Sequence, residues 1–68
     1  MVDTRELKAQ MVRKGFTQKK LAESMGITER TLQNKFKRGI FNSDEMYLLT
    51  QILQIKKPCD IFFANQGT

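Results

Sequence analysis

The chain has 68 residues, with twelve lysines and arginines against seven aspartates and glutamates, no histidine, no tryptophan and one cysteine. One cysteine and no histidine cannot supply the four ligands of a zinc finger, nor any histidine-based catalytic group. The length allows one small domain, and we expect a non-enzymatic domain over residues 1–68 with no cofactor, no metal and no small-molecule substrate.

A single cysteine also leaves no internal disulfide to form, which fits a reducing compartment. No stretch approaches the length of a membrane span, and the first residues lack the apolar core of a signal peptide. We therefore expect a cytoplasmic domain with no membrane partner, folded from about residue 3 to residue 64. Residues 65–68 are expected to fray.

The first predicted helix follows Asp3, which with Glu6 has the form of a capping box. Leu7 and Met11 stand one turn apart on its apolar face, and Gly15 ends it.

The second and third predicted helices each follow a threonine N-cap. After Thr17, the second helix turns Leu21, Ala22 and Met25 inward and ends at Gly26. After Thr28, the third helix runs from Glu29 to about Lys37 with Leu32 and Phe36 inside, and Gly39 stops it.

The second half of the chain predicts two more helices. Asn42 to Glu45 form another capping box, which opens a helix with Met46, Leu49, Ile52 and Leu53 as its buried stripe. Pro58 suits the first position of a short fifth helix. Of its apolar residues, Ile61 and Phe62 are placed in the core, and Phe63 is left between the core and a dimer surface. No strand pattern is present.

The spacing between the second and third helices meets the needs of a helix-turn-helix. Ala22 is small where two crossing backbones approach, Gly26 tolerates a positive φ, Ile27 enters the core and Thr28 caps the next helix. An ordinary corner between two helices of another bundle is the alternative interpretation.

The positive charge is concentrated in the same segment. Residues 13–38 contain eight cations and two anions, a net charge of +6, whereas the rest of the chain carries −1. A basic stripe of this kind is typical of a surface that binds a polyanion, although a solvated lysine-rich face has the same composition.

The pattern Thr17-Gln18-x-x-Leu21-Ala22-x-x-x-Gly26-Ile27-Thr28-x-x-Thr31-Leu32 resembles the phage repressor/Cro class of helix-turn-helix domains, often called the XRE family. The resemblance covers about residues 4–64, and the later part, from Thr31 to Ala64, is similar to small Cro-like proteins of phages from low-GC Gram-positive bacteria. The resemblance implies an all-α, lambda repressor-like compact bundle of four to five short helices, with its helix-turn-helix over residues 17–38. It also implies a regulator of transcription, acting as a repressor in a bacterial host cell, that binds a double-stranded DNA operator as a homodimer.

The resemblance also assigns roles to residues, because helix 3 matches the recognition helix that lies in the major groove. The residues expected to face base edges are Thr28, Glu29, Arg30, Thr31, Gln33 and Asn34. The residues expected to contact phosphates are Thr17, Gln18, Lys19, Lys20, Lys35, Lys37 and Arg38. Arginine suits guanine, and asparagine and glutamine suit adenine.

Two questions stay open at the level of sequence. The Leu32/Phe36 pair is spaced differently from the common family pattern, which leaves open the direction in which Asn34 and Lys35 point. A small helix-turn-helix protein can also work by binding another protein, as antitoxins and repressor modulators of similar type do, and this is the alternative function.

Overall fold

Five α-helices account for most of the chain in the computed structural model, which describes residues 2–63. They are α1 (Thr4–Arg13), α2 (Gln18–Met25), α3 (Glu29–Arg38), α4 (Ser43–Ile52) and α5 (Pro58–Phe62). No strand occurs in residues 2–63. The predicted all-α fold of short helices is therefore confirmed. The predicted fraying of residues 65–68 lies outside the described residues, as does the end of the folded core at residue 64.

A polar side chain begins each of the four longer helices. Each of these side chains accepts a hydrogen bond from the backbone N–H three residues further on, which satisfies one of the free donors of the first turn. The capping residues are Asp3, Thr17, Thr28 and Asn42. At α4 the capping box is complete, since the Glu45 carboxylate also accepts from the Asn42 backbone N–H. Pro58 opens α5 without a side-chain cap.

The predicted capping box of α1 is only half formed. The Asp3 side chain accepts from the Glu6 N–H, but the Asp3 N–H donates to the carbonyl oxygen of Ile61, at 2.7 Å. The Glu6 carboxylate instead binds Arg13, at 2.7 Å, and Gln10, at 3.3 Å. The hydrogen bond from Asp3 to Ile61 connects the start of the chain to α5.

The core is one apolar cluster to which every helix contributes. Its buried members are Val2, Leu7, Met11, Leu21, Ala22, Leu32, Phe36, Phe41, Leu49, Leu53, Ile55, Ile61 and Phe62. Met25, Met46 and Ile52 pack against it while partly exposed. Ile61 and Phe62 are in the core as predicted, whereas Phe63 is 42% exposed. The sequence interpretation did not assign Val2, Phe41 or Ile55 to the core.

The four longer helices end alike. In each, a residue two or three positions beyond the last helical residue donates its N–H to the carbonyl five residues earlier, as in a Schellman motif. The four bonds are Phe16 to Met11, Ile27 to Ala22, Ile40 to Lys35 and Ile55 to Thr50. Three motifs place a glycine at the left-handed position, but after α4 that position is held by Gln54, with a φ of 53°.

Replacing Gln54 by glycine is expected to stabilise the fold by about 0.5–1 kcal/mol. A non-glycine residue in the left-handed conformation destabilises the folded state by about 1–2 kcal/mol, and glycine removes this strain. Part of the gain is lost because glycine has greater conformational freedom in the unfolded chain. Gly26→Ala provides the opposite control, because a Cβ there meets no atom within 4 Å and only the φ of 74° opposes it. The midpoint of urea unfolding should rise for Gln54→Gly and fall for Gly26→Ala. A lower midpoint for Gln54→Gly would contradict the expectation.

Candidate nucleic-acid interface

The segment from Thr17 to Arg38 forms a helix, a tight turn and a second helix. Gly26 ends α2 in the left-handed conformation, and the Ile27 N–H donates to the Ala22 carbonyl, at 3.0 Å. Ala22 is buried, and Ile27 packs against the core. Thr28 then caps α3, and α2 and α3 pack against each other. Gly26, Ile27 and Thr28 therefore have the roles that the sequence predicts for them.

Burial defines which side of α3 faces outward. Leu32 and Phe36 are 0% and 4% exposed, so the face of α3 that carries them packs against the core. With about 3.6 residues per turn, Asn34 lies on the opposite face of the helix. Arg30, Thr31, Lys37 and Arg38 lie to either side of Asn34. We call these five residues the outer stripe of α3; all five are exposed.

The other predicted residues of α3 lie on its flanks. By the same spacing, Glu29 and Gln33 fall between the outer stripe and the core on one side, and Lys35 on the other. Glu29 and Gln33 are exposed, whereas Lys35 is partly buried. The outer stripe therefore carries three cationic side chains and no acidic one.

Lys35 is engaged within the protein. Its ammonium lies 2.8 Å from Oε2 of Glu45, and the two side chains are only 26% and 14% exposed. The other carboxylate oxygen of Glu45 accepts from the Asn42 N–H, at 2.9 Å. One carboxylate thus joins the last turns of α3 to the start of α4. This placement favours a structural role for Lys35, and phosphate contact by this residue stays an untested prediction.

Lys35→Met is expected to lower the free energy of unfolding by up to about 1 kcal/mol, since it removes a partly buried ion pair and keeps the apolar stem. Lys37→Met is the matched control, because Lys37 is an exposed lysine on the same helix with no partner among the ion pairs of residues 2–63. Chemical denaturation should separate the two variants. Equal midpoints would show that the pair contributes no stability.

The three predicted threonines are arranged around the helix starts. The hydroxyl oxygen of Thr17 accepts from the Lys20 N–H, at 3.1 Å. Thr28 accepts from the Thr31 N–H and donates to the Thr31 hydroxyl, at 2.8 Å. All three side chains are exposed.

The first turn of α2 holds the remaining predicted phosphate contacts. Lys19 and Lys20 are exposed, and Gln18 is partly buried. The two ion pairs of residues 2–63 are Glu6 with Arg13 and Lys35 with Glu45. Lys19 and Lys20 therefore present unneutralised charge. They are not part of the outer stripe of α3. They lie on α2, a separate helix that packs against α3.

The sequence interpretation missed Ile40, which borders the outer stripe. Its side chain is 66% exposed, although an apolar residue after a helix-ending glycine ordinarily suggests a core position. Ile40 lines a shallow cavity of about 260 Å³ with Thr31, Asn34, Lys35 and Arg38. The candidate interface thus combines cations, an amide, a hydroxyl and an apolar edge.

Within residues 2–63, no three aspartate, glutamate, cysteine or histidine side chains come together as a metal ligand set. No helix of that part of the chain has the length and apolar character needed to cross a membrane.

The chain matches a known protein family. A family model described as a domain of unknown function (DUF6471) matches residues 3–58. No curated protein and no solved structure matches significantly.

Proposed function

Because the chain belongs to the DUF6471 family, a family of unknown function, we propose its function from the α3 surface itself. The protein binds double-stranded DNA sequence-specifically and regulates transcription by occupying an operator. It resembles phage Cro-like repressors in this respect. We place its action in the cytoplasm of a bacterial cell, and we expect it to act without catalysis.

The outer stripe of α3 is the observation that carries the proposal. A helix of ten residues is about 15 Å long, and the major groove, about 12 Å wide, admits an α-helix. Arg30 suits the O6 and N7 acceptors of guanine, and Asn34 suits N6 and N7 of adenine. Lys37 and Arg38 add charge for phosphates, and the stripe holds no acid that would repel them.

The flank residues have secondary roles in this proposal. Gln33 is exposed and long enough to reach a base edge beside the stripe. Glu29 is in the first turn of α3, where a negative charge favours the helix, and it can accept from cytosine. Lys19 and Lys20 serve as phosphate contacts at the start of α2, together with Thr17 and Gln18.

A homodimer completes the proposal. One α3 contacts only a few base pairs, whereas two copies related by a twofold axis read a near-palindromic site with half-sites about 34 Å apart. Exposed apolar side chains are available on the described surface, among them Tyr47 at 68% and Phe63 at 42% exposure. A dimer would also add stability to a chain of this length.

Salt dependence of duplex binding tests the proposal. Fluorescence anisotropy with a labelled random-sequence duplex should detect binding at low salt. The affinity should fall with salt at a log–log slope of about −0.9 per phosphate contacted. The double variant Lys19→Gln/Lys20→Gln should make this slope shallower by up to about 2. Lys56→Gln/Lys57→Gln removes the same charge elsewhere and should leave the slope unchanged.

A protein that works only by binding another protein would give a different result. It would bind the duplex negligibly at low salt, and no variant would change a slope. That outcome would reject DNA binding in favour of the antitoxin-like or modulator function.

A further inference from the structure

A second concave surface lies between α1 and the segment that connects α4 to α5. Its volume is about 490 Å³, which is within the usual range of small-molecule sites, and no residue of α2 or α3 lines it. We call it the α1–α5 groove. It is therefore separate from the outer stripe of α3, and the proposed DNA contacts do not use it.

The groove has an apolar floor and a cationic rim. Ile55 and Ile61 line it and are 6% and 4% exposed, so they form its floor. Lys14, Lys56 and Lys57 also line it, and all three residues are exposed, so the groove is bordered by positive charge. This combination suits a molecule with an apolar body and a negatively charged end.

Acidic side chains of the groove do not cancel this charge. Glu6 lines the groove, but its carboxylate is already bound by Arg13, at 2.7 Å, and by Gln10, at 3.3 Å. Asp60 is the other carboxylate in the lining, and it forms no ion pair with a lysine in residues 2–63. The groove lining therefore holds three lysines and one carboxylate that takes part in no ion pair of residues 2–63.

Gln54 provides an independent observation at the same place. It occupies the left-handed position that glycine holds after α1, α2 and α3, and it is one of the residues that line the groove. A residue held in that conformation costs free energy, and such positions cluster where a side chain serves a ligand. The Gln54 amide can donate hydrogen bonds to an oxyanion at the rim.

We propose that the α1–α5 groove binds a small organic anion with an apolar body, namely an aliphatic or aryl-alkyl carboxylate. The apolar body lies on Ile55 and Ile61, and the carboxylate faces the ammonium groups of Lys14, Lys56 and Lys57. The amide of Gln54 donates a hydrogen bond to that carboxylate. This site is independent of the proposed DNA binding.

Nuclear magnetic resonance titration of the full chain tests the site with three probes of the same shape. The probes are 4-phenylbutyrate, the cation 4-phenylbutylamine and the neutral 4-phenylbutanol. We expect only 4-phenylbutyrate to give saturable shifts at millimolar concentration or below. The shifts should centre on the Gln10 and Gln54 side-chain amides and on the backbone amides of Lys56 and Lys57.

Two matched double variants complete the test. Lys56→Gln/Lys57→Gln should weaken 4-phenylbutyrate binding by about tenfold, as expected for the loss of two charge contacts at a partly exposed site. Lys19→Gln/Lys20→Gln should change it by less than about twofold, because these lysines are on α2. Absence of saturation, equal binding of the amine or alcohol, or equal losses in both variants would overturn the proposal. None of these outcomes bears on binding of the duplex.

Discussion

Arg30→Ala is expected to reduce affinity for the preferred DNA site by about 1–3 kcal/mol and to relax the preference at one base position. The Arg30 side chain is exposed near the start of α3, beside Asn34 and opposite the buried Leu32 and Phe36. A guanidinium in this position can bond both acceptors of one guanine, so its removal should affect one position of the sequence. Binding to a panel of duplexes, each with one substituted base pair, measures both effects.

Lys37→Ala is the matched control for Arg30. Lys37 is also an exposed cation of the outer stripe, two turns further along α3. As a phosphate contact, it should weaken all duplexes alike and reduce the salt slope by about 1 without changing base preference. If Arg30→Ala left both affinity and preference unchanged, α3 would not be the reading helix.

Leu32→Ala is expected to have the largest effect on stability, a loss of about 2–5 kcal/mol. The Leu32 side chain is 0% exposed, and Leu32 and Phe36 are the two residues through which α3 contributes to the core. A domain of this size has a total stability of only about 3–5 kcal/mol from its core, so much of the population should unfold at room temperature. Urea titration followed by circular dichroism measures the loss.

Val12→Ala supplies the comparison, since this side chain on α1 is 67% exposed. Its free energy of unfolding should lie within about 0.5 kcal/mol of that of the parent protein. A Leu32→Ala midpoint equal to that of Val12→Ala would show that Leu32 is not in a packed core.

Much of the fold follows from local chemistry that is visible in the sequence. The caps at Thr17, Thr28 and Asn42 and the stop at Gly26 act within one turn, so residue type and spacing were enough to predict them. Contacts between distant segments were not predictable in this way. The Asp3 N–H pairs with the Ile61 carbonyl, and this replaces the second half of the expected capping box.

The candidate site was predictable in composition but not in direction. The unusual spacing of Leu32 and Phe36 left the orientation of α3 open, and only their burial places Asn34 at the centre of the outer stripe. Lys35 is indistinguishable from Lys37 in the sequence, because its partner Glu45 comes from the next helix. Ile40 was missed because an exposed apolar residue leaves no periodic signal.

Selection from a library of random-sequence duplexes tests the central claim most directly. The account predicts enrichment of one near-palindromic site whose half-sites are about 10 base pairs apart, centre to centre. Arg30→Ala should lose the preference at a symmetric pair of positions. Recovery of no common sequence, with no duplex retained even at low salt, would contradict the proposal that this protein reads DNA through α3.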